Sequence, residues 1–177
     1  MNLENQSLTN KLFFGCKFDA CNFSYTDFES TLFEDCSFVN CNFSLTRFIK
    51  TQIREAVFQG CKLIGIDFTK CDTLMMDFSL EECSVKNCIL SGLSLQKTKL
   101  CKSDLMDCDF VNTDLSETNL SQSNLSGSLF HNTNLTGANL KNCTNYTIDP
   151  LKNNIRKAKF SLPEALTLLN WLDIEIE

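Results

Sequence analysis

A large apolar residue recurs at every fifth position over most of this chain, and no other feature limits the fold so strongly. One run of such residues extends from Phe13 to Phe68, and a second run extends from Leu80 to Leu140. Two positions before each of them lies a residue that is mostly small, such as Cys, Thr, Ser or Ala. A period of five matches neither an amphipathic helix nor an alternating strand, so neither element explains the pattern.

The period is explained if each unit of five residues forms one side of a square coil. Four units then complete a turn, and large residues 20 positions apart stack directly, as Phe18 on Phe38 and Phe38 on Phe58. Each side supplies one large and one small residue to a narrow interior, while its other three residues face solvent. As in other solenoids, each repeat buries itself only against its neighbours.

The repeat also has a recognisable signature. The residue before the large one is often Asp or Asn, as in Asp104-Leu105, Asp114-Leu115 and Asn124-Leu125. This pattern resembles the A(D/N)Lxx signature of pentapeptide-repeat proteins over about three quarters of the chain, from near Leu12 to about Asn145. The period itself indicates only a stacked coil. The resemblance implies an all-β fold, a right-handed quadrilateral parallel β-helix.

Three segments are predicted along the chain. Residues 1–11 form an N-terminal lead-in, residues 12–145 the β-helix, and residues 146–177 a C-terminal capping and dimerisation segment. The register shifts by two residues at about 69–80. This shift is either a small bulge or kink, or a junction between two stacks, which in the family sometimes carries a partner-contacting loop.

A short α-helix is predicted after the repeats, at about 162–170. Ser161 is its expected N-cap, with Pro163 in the first turn and Glu164 at capping-box spacing. One face of this helix would cover the open end of the coil stack. Its apolar residues are too many for one buried face, and the surplus indicates a self-associating surface. The candidate dimer interface comprises Leu162, Leu166, Leu169, Trp171 and Leu172.

The eleven cysteines do not suggest a metal or disulfide framework. All except Cys101 follow the five-residue period, and C-x2-C ligand spacing is absent. They are interpreted as small buried hydrophobes, which fits a reducing cytosol. The lone histidine, His131, occupies an outward position, and no glycine loop that could cradle phosphate is present. We therefore predict no catalytic residue, metal site or cofactor, and no enzyme activity.

The charge balance limits the kinds of partner that the chain can bind. Sixteen Lys plus Arg oppose 22 Asp plus Glu, which gives a net charge of −6. Direct nucleic-acid binding needs clustered cations and is not expected, whereas a partner that itself binds anions is compatible. Residues 1–10 lack the pattern of a secretory signal and no long apolar run is present, so a cytoplasmic location without membrane contact is expected.

Acidic side chains at outward positions form a candidate partner surface. Solvation of a rod explains them, and mimicry of duplex DNA is the sharper alternative. Six or seven coils spaced by about 4.8 Å give a rod of about 30 Å. Because B-DNA carries about one charge per 1.7 Å, mimicry would depend on local placement rather than on total charge. The candidates are Asp19, Asp27, Glu29, Glu34, Asp35, Asp67, Asp104, Asp107, Asp109, Asp114 and Glu117.

The C-terminal stretch from 148 to 177 resembles the tails of quinolone-resistance (Qnr) and microcin B17 immunity proteins. Such tails often form a twofold dimer, so a homodimer through the C-terminal helix is implied. The resemblance further implies a binding protein that protects DNA gyrase, or a relative such as topoisomerase IV, from a poison. The alternative is a cytosolic protein-interaction scaffold with an unknown partner and no link to topoisomerases.

Overall fold

The computed structural model describes residues 1–174, which form a parallel β-solenoid of about seven turns with a short C-terminal helix. Short strands occupy the sides of the coil, and a single 3-10 turn lies at Phe68–Lys70. The C-terminal 3-10 helix spans Glu164–Trp171. The strands are β1 (Leu12–Phe14), β2 (Lys17–Asp19), β3 (Leu32–Glu34), β4 (Ser37–Val39), β5 (Gln52–Arg54), β6 (Ala56–Gln59), β7 (Lys62–Ile64), β8 (Phe78–Glu81), β9 (Ser84–Lys86), β10 (Leu100–Cys101), β11 (Asp104–Met106), β12 (Asn139–Leu140) and β13 (Lys159–Phe160).

The strand register confirms the square coil. All named strand pairs are parallel, and the sheets run β1-β3-β5, β10-β8-β6-β4-β2, β11-β9-β7 and β12-β13. Phe18 pairs with Phe38 and Phe38 with Phe58, so one turn takes 20 residues in the first half of the chain. Phe58 then pairs with Leu80, which is 22 residues further on.

Aromatic rings fill the first coils in two directions. Along the rod, Phe38 stacks on Phe18 and Phe58 with ring centroids 5.0 and 4.8 Å apart. Around a single coil, neighbouring rings meet edge to face, as Phe33 meets Phe38 at 5.3 Å and 81°. Both arrangements suit the ring quadrupole. The large inward residues therefore form one continuous core.

The small inward residues have a second role besides fitting the space. The buried Thr51 hydroxyl donates a hydrogen bond to the Phe28 carbonyl of the preceding coil at 2.8 Å, and the Cys61 thiol donates to the Phe38 carbonyl at 3.3 Å. These side chains thus join successive coils inside the shaft. This requirement explains why Thr, Ser and Cys outnumber Ala at the position.

The corners of the coil require a backbone conformation that most residues avoid. The second residue after each large one usually has a positive φ, for example 53° at Asn40 and 62° at Gly60. Asparagine and glycine tolerate this left-handed region best. At Gly60 a Cβ atom would also lie 2.5 Å from the Asn40 side-chain oxygen. Neighbouring corners along the rod therefore limit each other's size.

The register shift is a local bulge in an unbroken ladder. Gln52 still pairs with Asp72 in the old register, and Ala56 pairs with Phe78 in the new one. The two extra residues therefore lie in 73–77. Leu74 is 73% exposed there, while the core continues across the bulge.

The coil begins earlier than the sequence boundary at residue 12. Asn2 pairs with Asn22, and Leu3 and Leu8 pack against the core, so residues 1–11 belong to the first coil. The sequence prediction missed them because the positions two before these leucines hold Met1 and a glutamine instead of a small residue. Because no coil precedes the first one, a small residue is not required at these positions.

The coil also ends later than residue 145. Asn134 pairs with Asn154, β12 pairs with β13, and the inward Ile155 and Phe160 pack against the core. The predicted C-terminal segment thus contains another coil before its helix. The irregular stretch before Ile155 hid the period.

In the part of the chain that the structure describes, no helix is long and apolar enough to span a membrane.

The helix after the coils differs from the predicted α-helix. It is a 3-10 helix, and Pro163 precedes it without a side-chain cap. The Ser161 hydroxyl instead accepts a hydrogen bond from the Asn142 backbone N–H at 3.1 Å, so the predicted capping box with Glu164 is not formed. Ser161 directly follows β13, and its hydroxyl still takes part in the hydrogen bonding between successive coils. Leu168 is partly buried and packs against the core.

Candidate partner-binding surfaces

The coil has four faces, which we number by the first large residue on each. Face 1 starts at Leu3, face 2 at Leu8, face 3 at Phe13 and face 4 at Phe18. Equivalent positions recur every 20 residues, or 22 across the bulge. In each unit the residue before the large one and the two after it point outward.

The candidate acidic residues do not form one surface. Eight of the eleven lie on the adjacent faces 2 and 3, and the other three lie on faces 1 and 4. The set divides as Asp27, Glu29, Asp67 and Asp109 on face 2, Glu34, Asp35, Asp114 and Glu117 on face 3, Asp104 and Asp107 on face 1, and Asp19 on face 4.

Ion pairs reduce the negative charge of several candidates. Arg47 contacts Asp27 at 3.2 Å, and Arg54 contacts Glu34 at 3.4 Å. Asp67 and Glu117 each lie 4.0 Å from a lysine. Each of these exposed pairs contributes at most about 1 kcal/mol to stability. Their main consequence is to leave less unpaired charge on faces 2 and 3 than the sequence indicates.

One stretch of the sequence contains several carboxylates and no lysine or arginine. No Lys or Arg occurs between residues 103 and 140, whereas five carboxylates fall within less than one coil. We call this group the acidic band; its members are Asp104, Asp107, Asp109, Asp114 and Glu117. Only Glu117 has a cation nearby, from the coil before. The band extends over faces 1, 2 and 3 of one coil.

Asp114 is the most firmly held member of the band. Its burial raises the pKa of the carboxyl, but hydrogen bonds from Gln96, Ser116 and Asn134 outweigh that effect and lower the pKa below its usual value. The Ser116 backbone N–H donates at 3.0 Å and the Asn134 amide at 2.9 Å. Hydrogen bonds to the ionised form stabilise it, so Asp114 is negatively charged at neutral pH.

The last two coils carry the opposite charge at their C-terminal end, a feature that the net charge concealed. Residues 141–160 contain five cations and a single carboxylate, Asp149. Lys152 pairs with Asp149 at 3.5 Å. The other four cations are exposed and form no ion pair within residues 1–174. A count of charge by coil, instead of over the whole chain, would have found this division.

The candidate dimer interface lies at the C-terminal end of the rod. Leu162 is 74% exposed and Leu166 is 51% exposed; Trp171 and Leu172 are also exposed, and Leu169 is half-buried. Exposed Leu151 and Ile174 add to this apolar surface and were not among the predicted residues.

Trp171 reaches over one side of the coil. It lines a cavity of about 380 Å³ together with Leu129, His131, Asp149 and other residues of face 2. The chain between Ser161, which follows β13 on face 4, and Trp171 therefore crosses the end of the shaft to face 2.

Burial suppresses the reactivity of two of the thiols, Cys71 and Cys143. All eleven cysteines are free, and ten of them are buried. Burial raises the pKa of Cys71 to about 12 and that of Cys143 to about 11. Both thiols are therefore protonated and weak nucleophiles at neutral pH. No cluster of three or more metal-ligating side chains occurs among the residues that the structure describes.

These features define a class of protein: a four-sided parallel β-solenoid whose outer surface carries its distinctive chemistry. The family model described as "Pentapeptide repeat region" matches residues 11–81 and 78–149, and the chain therefore belongs to the pentapeptide-repeat family.

Solved structures support the same fold over the whole chain. A trypsin-treated variant of QnrB1, a plasmid-mediated fluoroquinolone resistance protein, is similar with a TM-score of 0.72 at 17% identity, covering 100% of this chain and 98% of that one. Full-length QnrB1 gives a TM-score of 0.56 at 18% identity, covering 98% of this chain and 100% of that one. At this identity the likeness concerns the fold. No curated protein sequence matches the chain significantly.

Proposed function

We propose that this chain is a non-enzymatic cytoplasmic protein that binds DNA gyrase, or a related type II topoisomerase such as topoisomerase IV, and protects it from a poison. The observation that carries the proposal is the end-to-end likeness to QnrB1, a fluoroquinolone resistance protein. The same solenoid presents a concentrated acidic band, which complements the positively charged surface of an enzyme that holds DNA.

In this proposal the rod competes for the DNA-binding surface by charge and shape. The band places five carboxylates on three faces of one coil, and no lysine or arginine follows until Lys141. Such a local field increases the rate of encounter with a cationic partner and orients the complex. The basic last coil would repel the same surface. The DNA-like contact is therefore proposed for the acidic band, not for the C-terminal end.

We further propose that the chain acts as a homodimer through its C-terminal end. Exposed Leu162, Leu166 and Trp171 support this, because an apolar surface of this kind is typical of a site that another molecule covers. Two rods joined at these ends would extend the binding surface in both directions.

An interaction scaffold without a topoisomerase partner is the second candidate. Two observations favour it: ion pairs offset several carboxylates of the first coils, and the bulge exposes the apolar Leu74 and Met75. In this alternative the bulge and not the acidic band would be the principal contact.

The two candidates are separated by a supercoiling and cleavage-complex assay on DNA gyrase with a fluoroquinolone present. The native chain should restore supercoiling and reduce cleaved DNA. The band variant Asp104→Asn/Asp107→Asn/Asp109→Asn should lose most of this protection. A matched control, Asp19→Asn/Glu29→Gln/Asp35→Asn, removes the same charge from residues dispersed over other coils and should retain protection.

Two results would contradict the proposal. If the native chain changes neither supercoiling nor cleavage, the topoisomerase role is wrong and the scaffold remains. If the band and control variants lose protection equally, total charge matters and the band has no special role. Binding that weakens steeply with added salt would accompany a charge-based contact.

A further inference from the structure

Charge is sharply divided at the C-terminal end of the rod. Four exposed cations lie in the last two coils, and we call them the basic belt: Lys141, Arg156, Lys157 and Lys159. After Lys159 the sequence has no further cation, and every charged residue is a carboxylate. Of these, the structure describes Glu164 and Asp173. The basic belt and this acidic tail are therefore neighbours in sequence.

The belt occupies faces 3 and 4. Arg156 and Lys157 follow the inward Ile155 on face 3, and Lys159 precedes Phe160 on face 4. None of the four belt cations forms an ion pair with any residue in 1–174. Of the eleven lysines and arginines in earlier coils, five form ion pairs among the described residues, and Lys102 contacts Glu81 at 2.9 Å.

Trp171, within the acidic tail, lies on the other side of the rod. Trp171 lines the cavity on face 2 with Leu129 and His131, and Asp173 follows two residues later. In a four-sided coil, face 2 is opposite face 4. Trp171 is thus on the opposite side of the coil from the Lys159 of its own chain, and no ion pair joins Asp173 to the belt of the same chain within the described residues.

Twofold symmetry would bring the two together in a dimer. A twofold axis perpendicular to the rod, directed from face 1 to face 3, exchanges faces 2 and 4 between the copies. Face 2 of one copy, which carries Trp171, then lies in line with the face-4 belt of the other, and the contact occurs twice, as in every isologous interface. Without this pairing, two cationic coils would meet across the interface and repel.

We propose that, in the C-terminal dimer of the proposed function, Asp173 of each copy pairs with the basic belt of the other copy around Lys159. The exposed leucines supply the apolar contact, and the reciprocal charge pairs select the twofold orientation. Exposed ion pairs add little affinity each and are screened by salt. The dimer should therefore weaken with ionic strength without dissociating completely.

Charge-reversal variants test the pairing directly. We expect Lys159→Glu and Asp173→Lys each to weaken the homodimer about tenfold, because each reversal turns two symmetric attractions into repulsions. Lys99→Glu is the matched control. Lys99 occupies the same outward position of face 4, in line with Lys159 through Asn119 and Asn139, but lies three coils away. Sedimentation equilibrium gives the three dissociation constants.

Mixing the two variants distinguishes pairing between copies from pairing within a copy. In the heterodimer of Lys159→Glu with Asp173→Lys, both reciprocal contacts are again attractive. Native mass spectrometry with one mass-tagged variant should therefore show the heterodimer well above the statistical half of all dimers. Pairing within one copy would give no such preference.

The outcomes separate this inference from the proposed function. Reversal variants that dimerise like the native chain, or a mixture at statistical proportions, would refute the charge pairing and leave the dimer intact. A native chain that stays monomeric at all concentrations would refute the dimer and the pairing together. Protection of gyrase is measured independently and is affected by neither result alone.

Discussion

Replacing Phe38 by alanine should lower the free energy of unfolding by about 4 kcal/mol. The side chain lies on face 4 in the second coil and is 1% exposed. Phe18 and Phe58 stack on its two sides at 5.0 and 4.8 Å. Three further rings meet it edge to face, namely Phe23, Phe33 and Phe43.

The magnitude follows from the complete enclosure of the ring and from the rigidity of the surrounding wall. Truncation of a buried Phe to Ala costs about 3–5 kcal/mol, and the larger values belong to sites that cannot collapse. Here the backbone ladder holds successive coils at a fixed spacing of about 4.8 Å, so neighbours cannot close the cavity. Since domains are stable by about 5–15 kcal/mol, the loss would be a large part of the total.

Phe13→Ala is the matched control, because Phe13 is the same residue type in the end coil. It is only half-buried and contacts two rings, Phe18 at 5.5 Å and Phe33 at 5.2 Å. We expect a loss of about 2 kcal/mol there, less than at the fully buried site. Phe38→Leu should cost less than about 1.5 kcal/mol, since it conserves most of the volume.

Urea titrations followed by far-UV circular dichroism measure all three changes. The reasoning would be refuted if Phe13→Ala and Phe38→Ala destabilise the chain equally, or if Phe38→Ala costs less than about 2 kcal/mol. Either result would mean that backbone pairing, and not the stacked rings, holds the first coils together.

Three further predictions concern the shaft and its corners. Thr51→Val should cost about 1 kcal/mol in the same titration, because it removes the hydrogen bond to the Phe28 carbonyl while keeping the shape; no loss would show that the hydroxyl is dispensable. Gly60→Ala should destabilise by about 1–2 kcal/mol because of its positive φ and the clash with Asn40. Because Asn40→Ala removes the clash, Gly60→Ala measured against Asn40→Ala alone should cost only the part due to φ. Burial raises the pKa of Cys71 from 9.0 to about 12, so the folded state favours the protonated thiol; its stabilising effect is complete below about pH 9 and disappears as the pH rises toward 12. Urea midpoints between pH 8 and 11 should therefore fall less steeply for Cys71→Ala than for the native chain, and parallel curves would contradict the assignment.

Most of the fold could be predicted from the sequence, because the large inward residues repeat through the middle of the chain with a single interruption, the bulge at 73–77. The ends could not, since the rule itself changes there. Leu3 and Leu8 keep the five-residue step but lack small partners, and an end coil does not need them. The 3-10 helix was missed for a related reason. The Ser161 hydroxyl accepts a hydrogen bond from Asn142 of the preceding coil, so Ser161 does not cap the helix.

The surfaces were predicted less well than the core. Outward residues follow no packing rule, so their grouping depends on the register and on the two extra residues of the bulge. Asp19 and Asp27, which are close in sequence, lie on opposite faces, and Asp27 is paired with Arg47 one coil away. The basic last coil was overlooked because a net charge averages over the whole rod.

The bulge also bears on how chains of this kind can change length. Each side of the coil takes five residues, so deleting a single unit would rotate everything beyond it by a quarter turn relative to the first coils. Deleting four units would shorten the rod and leave its orientation unchanged. The segment 73–77 represents a third case, because it absorbs two residues within face 3 and the ladder resumes at Phe78 with no rotation. Insertions of different size therefore have unlike evolutionary effects: an insertion within one side decorates an existing face, whereas the gain or loss of one unit presents a different arrangement of faces to any partner.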